Sequence, residues 1–240
     1  MKKILLGTAA LALSAGMALA SDVVRMGTEG AYPPYNFIND AGEVDGFERE
    51  MGDELCKRAE LTCEWVVNDW DSIIPNLVSG NYDTIIAGMS INDEREKVID
   101  FTQDYIPPAT SSYVALNEGA DLNGIVAAQT STLQAGYITE SGATLLEFAT
   151  ADEIIAALKS GEADAVFFDT DYLAPIVEES SGELMFVGEP VVLGRGTGMG
   201  LRKSDSALKD KFNAAITSMK EDGTLNTMLV KWFGEGTDTY

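Results

Sequence analysis

The sequence predicts an α/β protein of two similar lobes that face each other across a cleft. Two observations carry this: an internal repeat, and short apolar strands that follow amphipathic helices. Two segments match at a fixed offset of 81 residues without insertion. Asp71 pairs with Asp152, Ile73 with Ile154, Ile74 with Ile155 and Leu77 with Leu158. Ser79 pairs with Ser160, Gly80 with Gly161 and Asp83 with Asp164. In each copy the first Asp is placed to cap a helix N-terminus. The Ile, Ile and Leu make an apolar stripe. The Gly stands where a helix end wants positive φ. An apolar strand follows, Thr84 to Ile86 in one copy and Ala165 to Phe168 in the other. Apolar strands after helices read as buried parallel strands.

The remaining elements agree. Val23 to Gly27 is an apolar-rich strand. Residues 35 to 47 read as a hairpin turning at Asn39-Asp40-Ala41-Gly42. Glu48 to Ala59 is a helix with Met51 and Leu55 inward, and Cys63 to Val67 is a strand. Ile125 to Gln129 and Leu145 to Ala149 are strands, and Asp171 to Glu178 is a helix. Leu208 to Met219 and Thr224 to Trp232 close the chain as helices, leaving Glu235 to Tyr240 as a frayed tail. Ligands of such lobes bind outside the carboxyl ends of the parallel strands.

Lys2 and Lys3, the apolar run Ile4 to Leu19 and Ala18-Leu19-Ala20 form a secretory signal, with cleavage expected near Ala20. The run is too short for a spanning helix, and no later segment is long and apolar enough either. The mature chain carries 14 basic against 39 acidic residues, a net charge of −25. That field repels nucleic acid and anionic lipid, which excludes both as partners. Two cysteines, Cys56 and Cys63, in a secreted chain read as a disulfide. The absence of any histidine argues against a metal site and removes Ser-His and Cys-His nucleophiles. No cofactor is expected.

Several segments together resemble the periplasmic polar amino-acid binding proteins of ABC importers, the group with histidine-, lysine/arginine/ornithine- and opine-binding members. They are Gly27 to Tyr35, Asp45-Gly46-Phe47, Asp69 to Pro75, Ala87-Gly88-Met89-Ser90 with Arg95, Phe101-Thr102, Gly196 to Lys203 and Asp222-Gly223-Thr224. The likeness covers essentially the whole mature chain. It implies two Rossmann-like lobes of the periplasmic binding protein type II fold. Residues 1–20 would be the signal peptide, 21–108 plus 197–240 the first lobe, and 109–196 the second. Pro107 and Pro108 suit the first crossover and the glycines of 194–200 the second. It also implies a monomer in the periplasm that takes up a free amino acid and delivers it to inner-membrane permease subunits. Cys56 and Cys63 fall where some members have a disulfide.

The resemblance implies a ligand set, and each residue has a plainer alternative. Arg95 would hold the ligand's α-carboxylate, because a guanidinium fork matches a carboxylate bidentately; the alternative is a solvated helix charge. Asp169 would pair with the α-ammonium, helped by Gly88 and Ser90; the alternative is a helix N-cap. Tyr32 and Trp70 would flank the ligand side chain, or else be core aromatics. Glu29 would meet a cationic head, with Glu48 adding a second acid nearby; the alternative for Glu29 is a solvated loop acid. Gln129, Thr132 and Gln134 are the second-lobe candidates. The expected ligand is arginine, lysine, ornithine or a related opine; the alternatives are glutamine, histidine or a broad range of polar amino acids and opines. The chain departs from the group's pattern at Ser131-Thr132-Leu133 and at Ala87. The rival class is an enzyme on the same fold, such as a periplasmic cyclohexadienyl dehydratase, which needs a positioned acid or base.

Overall fold

The computed structural model describes residues 23–240; the signal reading of residues 1–20 lies outside them. The chain opens with β1 (Val24–Thr28), β2 (Ala31–Tyr32), β3 (Asn36–Ile38), β4 (Val44–Asp45), α1 (Phe47–Arg58) and β5 (Cys63–Val67). A 3-10 turn over Trp70–Ser72 leads into α2 (Ile73–Val78), β6 (Thr84–Ile85), α3 (Asp93–Glu96) and β7 (Asp100–Ile106). Then come β8 (Thr110–Ala115), β9 (Ile125–Gln129), α4 (Leu133–Ser141), β10 (Thr144–Phe148), α5 (Ala151–Ser160), β11 (Ala165–Asp169) and α6 (Thr170–Glu179). The chain closes with β12 (Met185–Val192), β13 (Thr197–Leu201), α7 (Ser206–Glu221) and α8 (Thr224–Phe233).

Two five-stranded sheets form, in the orders β5-β1-β6-β13-β7 and β10-β9-β11-β8-β12. In each, the first three strands are parallel. The fourth strand is antiparallel to the third, β13 against β6 and β8 against β11. The fourth strands are the ones that arrive after the chain has passed between sheets. The passages run from Ile106 to Thr110, through Pro107 and Pro108, and from Val192 to Thr197, through Gly194 and Gly196. A smaller sheet, β2-β3-β4, holds the expected hairpin.

The repeat has one structural meaning. Asp83 N–H donates to the Arg25 carbonyl at 2.8 Å, and Arg25 N–H donates to an Asp83 carboxylate oxygen at 3.0 Å. Asp164 and Ile125 repeat both bonds, each at 2.8 Å. The aspartate side chain thus satisfies a strand-start N–H of β1 or β9, the middle strand of each parallel three. Gly80 and Gly161 carry φ of 82° and 80°, the left-handed conformation that ends each helix.

Two expectations are corrected. Asp71 and Asp152 do not cap helices. Thr150 caps α5 in a capping box with Glu153, while Asp152 accepts a bond from the Tyr172 hydroxyl at 2.9 Å. Asp71 lies inside the 3-10 turn, which replaces a capped helix start. The C-terminal tail is not frayed. Asn226 pairs with the Tyr240 backbone through both N–H and carbonyl, and the Tyr240 hydroxyl donates to Asp104 at 2.7 Å.

Cys56 and Cys63 are disulfide-bonded, tying the end of α1 to the start of β5. The loop is short, so the bond contributes about 2–3 kcal/mol. Among the described residues no helix is long and apolar enough to cross a membrane, and no cluster of three or more His, Cys, Asp or Glu could hold a metal ion.

The clip makes a testable prediction. Asp83 accepts from the Arg25 backbone and guanidinium and from Arg202. Asp83→Ala should lower unfolding free energy in denaturant titration by ~1–3 kcal/mol, with Asp164→Ala at the lower end. A loss below ~0.5 kcal/mol for Asp83→Ala, the ordinary surface value, would contradict the clip.

Candidate functional site

The parallel strands of both sheets end at one interface, and the loops that follow them line a single cavity. Glu29 follows β1, Trp70 follows β5, and Gly88 and Ser90 follow β6. On the other side, Gln129 ends β9, Thr132 and Gln134 start α4, and Asp169 ends β11. Tyr32 and Arg95 complete the ring, from β2 and α3. Ten of the residues singled out in the sequence therefore line the same cavity, together with Ala87, Leu133 and Phe168; Glu48 does not.

The two acids are bonded across the cavity. Asp169 accepts from the Tyr32 hydroxyl of the facing lobe at 2.5 Å, and from Gln134 Nε2 at 2.7 Å. It occupies the N-cap position of α6 but caps nothing with its side chain. Glu29 is 8% exposed, so it is no solvated loop acid. It accepts from Gln129 Nε2 of the facing lobe at 2.7 Å, and Gln129 also donates to the Ala149 carbonyl at 3.0 Å.

Arg95 is half-buried, with its guanidinium carbon 5.3 Å from the centre of the Trp70 ring. It donates to the Ser90 carbonyl at 2.8 Å and, across the cleft, to the Ser131 carbonyl at 3.2 Å. Asn92 caps α3 through the Arg95 N–H, which fixes the short helix that carries it. Thr132 caps α4, accepting from Ala135 N–H at 3.1 Å. The first-turn N–H groups of a helix lack intrahelical partners, so α4 points a partial positive charge at the cavity.

The Tyr32 ring stacks on Tyr35 and Tyr172, with centroids 4.6 and 5.4 Å away. Gly88 has φ of 61°, and a Cβ there would stand 2.6 Å from the Tyr32 ring, so the glycine is required by this packing. The Trp70 indole N–H is buried without a partner among the described residues.

Glu48 corrects an expectation. It does not line the cavity; it is fully buried behind it and accepts from Asn36, Gly88 N–H and Tyr105. Sequence reasoning also missed Ser111, whose hydroxyl donates to Asp169 at 3.4 Å. Ser111 lies on β8, a strand whose polar start, Thr110-Ser111-Ser112, hides its character.

The model of the bacterial extracellular solute-binding proteins, family 3, matches residues 24–235. The L-arginine-binding protein of Pseudomonas aeruginosa is 32% identical, over 97% of both chains. The lysine/arginine/ornithine-binding periplasmic protein of Escherichia coli is 31% identical, again over 97% of both. A crystal structure of a periplasmic His/Glu/Gln/Arg/opine family-binding protein from Silicibacter pomeroyi in complex with lysine superposes with a TM-score of 0.90. It is 79% identical and covers 91% of this chain and 100% of that one.

Burial sets the charge of the cavity. It pushes the Glu29 carboxyl up to about 7, against the Gln129 bond and with Glu48 nearby adding to the rise. It pushes Asp169 up to about 6, against the Tyr32 bond. It brings Arg95 down to about 10, against the attraction of Asp169. Because both acids are raised, their contribution to stability is complete below the ordinary carboxylate range and is lost as pH rises through about 6 and about 7. From pH ~5 to ~8 the ligand-free protein should therefore lose more stability than Glu29→Gln, whose amide does not titrate. Parallel stability curves for the two proteins over this range, by denaturant titration, would contradict the burial of Glu29.

Proposed function

Because the chain belongs to the bacterial extracellular solute-binding proteins, family 3, we propose that it is the periplasmic binding component of an ABC importer for a basic L-amino acid, lysine foremost. The observation that carries the reading is the charge pattern of the cavity: a buried and a half-buried carboxylate and one guanidinium, drawn from both lobes. A basic amino acid presents the complement, two cations and one carboxylate. Its α-carboxylate meets Arg95 and the N-terminus of α4. Its α-ammonium meets Asp169, beside Gly88 and Ser90. Its side-chain cation meets Glu29, with Tyr32 and Trp70 as walls and Gln129, Thr132 and Gln134 closing from the second lobe. The lysine bound by the Silicibacter protein supports the ligand class.

The same reading divides the mature chain into a first lobe, 21–108 plus 197–240, and a second lobe, 109–196, hinged at the two passages. It places a cleavable signal at residues 1–20, a monomer in the periplasm and permease subunits of the inner membrane as partners. The protein acts by binding alone. Glu29 and Asp169 both accept hydrogen bonds from the facing lobe, which suits ion pairing with a cation. Measured turnover of prephenate or arogenate would overturn binding alone.

A thermal-shift screen of the amino acids with ornithine, citrulline and octopine tests the ligand class. Lysine, arginine and ornithine should give the largest shifts, through mass-action stabilisation of ~2.7 kcal/mol at a hundred times the dissociation constant. Glutamate giving the largest shift, with lysine and arginine silent, would contradict the role of Glu29. In calorimetry, Arg95→Ala should cost ~2–5 kcal/mol for every amino acid that binds. Glu29→Gln should cost far more for arginine than for neutral citrulline. Near-wild-type affinity in Arg95→Ala would refute the carboxylate assignment.

A further inference from the structure

We propose that Glu48 is a positioning residue of the cleft: from behind the cavity, its buried carboxylate sets the conformation of the two first-lobe loops that carry Glu29 and Gly88. The inference rests on the function proposed above. Glu48 is the second residue of α1 and is fully buried. Among the described residues it pairs with no lysine or arginine; its side chain takes three neutral donors instead. Oε2 accepts from Asn36 Nδ2 at 2.7 Å. Oε1 accepts from Gly88 N–H at 2.7 Å and from the Tyr105 hydroxyl. Its own N–H donates to the Tyr35 carbonyl at 2.8 Å.

Burying a carboxylate without a counter-ion costs heavily, and the three donors offset that cost. What the carboxylate adds is convergence. Asn36, held by Glu48, accepts from Gly30 N–H at 2.7 Å and so fixes the loop that carries Glu29. Gly88, held directly, keeps a φ of 61° and packs against the ring of Tyr32, whose hydroxyl reaches Asp169. Each acid of the cavity is thus connected to Glu48 through a short chain of hydrogen bonds and contacts. A glutamine of the same shape cannot serve, because its NH2 must face a donor at one of these positions.

Calorimetry and backbone hydrogen exchange test the assignment. Glu48→Gln should lower lysine affinity by roughly tenfold or more, because buried donors lose their acceptor. The Gly30 and Gly88 amides should exchange faster, with the strands of the second sheet unchanged. Asp164→Ala, remote from the cavity, should lose stability and keep its lysine affinity, which separates positioning from folding. Lysine affinity in Glu48→Gln within about twofold of wild type would overturn the proposal. If Glu48→Gln does not fold, the ligand-free wild type decides: Gly30 and Gly88 amides should be protected, and exchange at the rate of exposed loop amides would overturn it. A wild type that binds no amino acid would instead remove the function reading, while amide protection would still judge Glu48 on its own.

Discussion

A buried carboxylate must find hydrogen-bond donors, and in this protein the two acids of the cavity find them on the facing lobe. Asp169 takes the Tyr32 hydroxyl and Glu29 takes the Gln129 amide. Burial makes the charged forms costly and raises both carboxyls above their ordinary range. A cation entering between the lobes relieves that cost. Opening the cleft would break both cross-cleft bonds and return the acids to water. The joining of the lobes and the recognition of a cationic solute therefore draw on the same groups.

The scaffold brings those groups together through one repeated unit. In each sheet a central strand is flanked by two parallel neighbours, and an aspartate clips the start of the strand. All carboxyl ends then face the same side, which is where loops can carry polar groups. The exchange of β8 and β13 makes each sheet depend on chain that has come from the other. The two sheets are thereby joined by two short passages, from Ile106 to Thr110 and from Val192 to Thr197.

The parallel half of this fold was legible in the sequence, because its strands are continuous apolar runs and its helices carry apolar stripes. Ala165 to Phe168 and Ile125 to Gln129 were found for that reason. The antiparallel strands were not. β7, β8 and β12 mix Thr, Ser, Gln, Asp and Glu with apolar residues, and β13 contains two glycines among its five residues. Their place is set by tertiary pairing, which local pattern does not encode. The cavity was legible residue by residue because the motifs at strand ends resembled a known group. Glu48 was misplaced because a carboxylate next to a cavity motif reads as a ligand, and only the fold shows it turned inward to Asn36 and Gly88. The tail was misread because Tyr240 finds its partners, Asn226 and Asp104, far away in sequence.

The strong overall acidity locates no charge in the cavity; Glu29, Asp169 and Arg95 do. A crystal structure of the mature chain grown with lysine tests the cationic-ligand reading most directly. The account predicts the α-carboxylate on Arg95, the α-ammonium on Asp169 and the side-chain ammonium on Glu29, with both sheets closed on the ligand. Lysine bound with its side chain away from Glu29, or an empty cavity at saturating lysine, would contradict it.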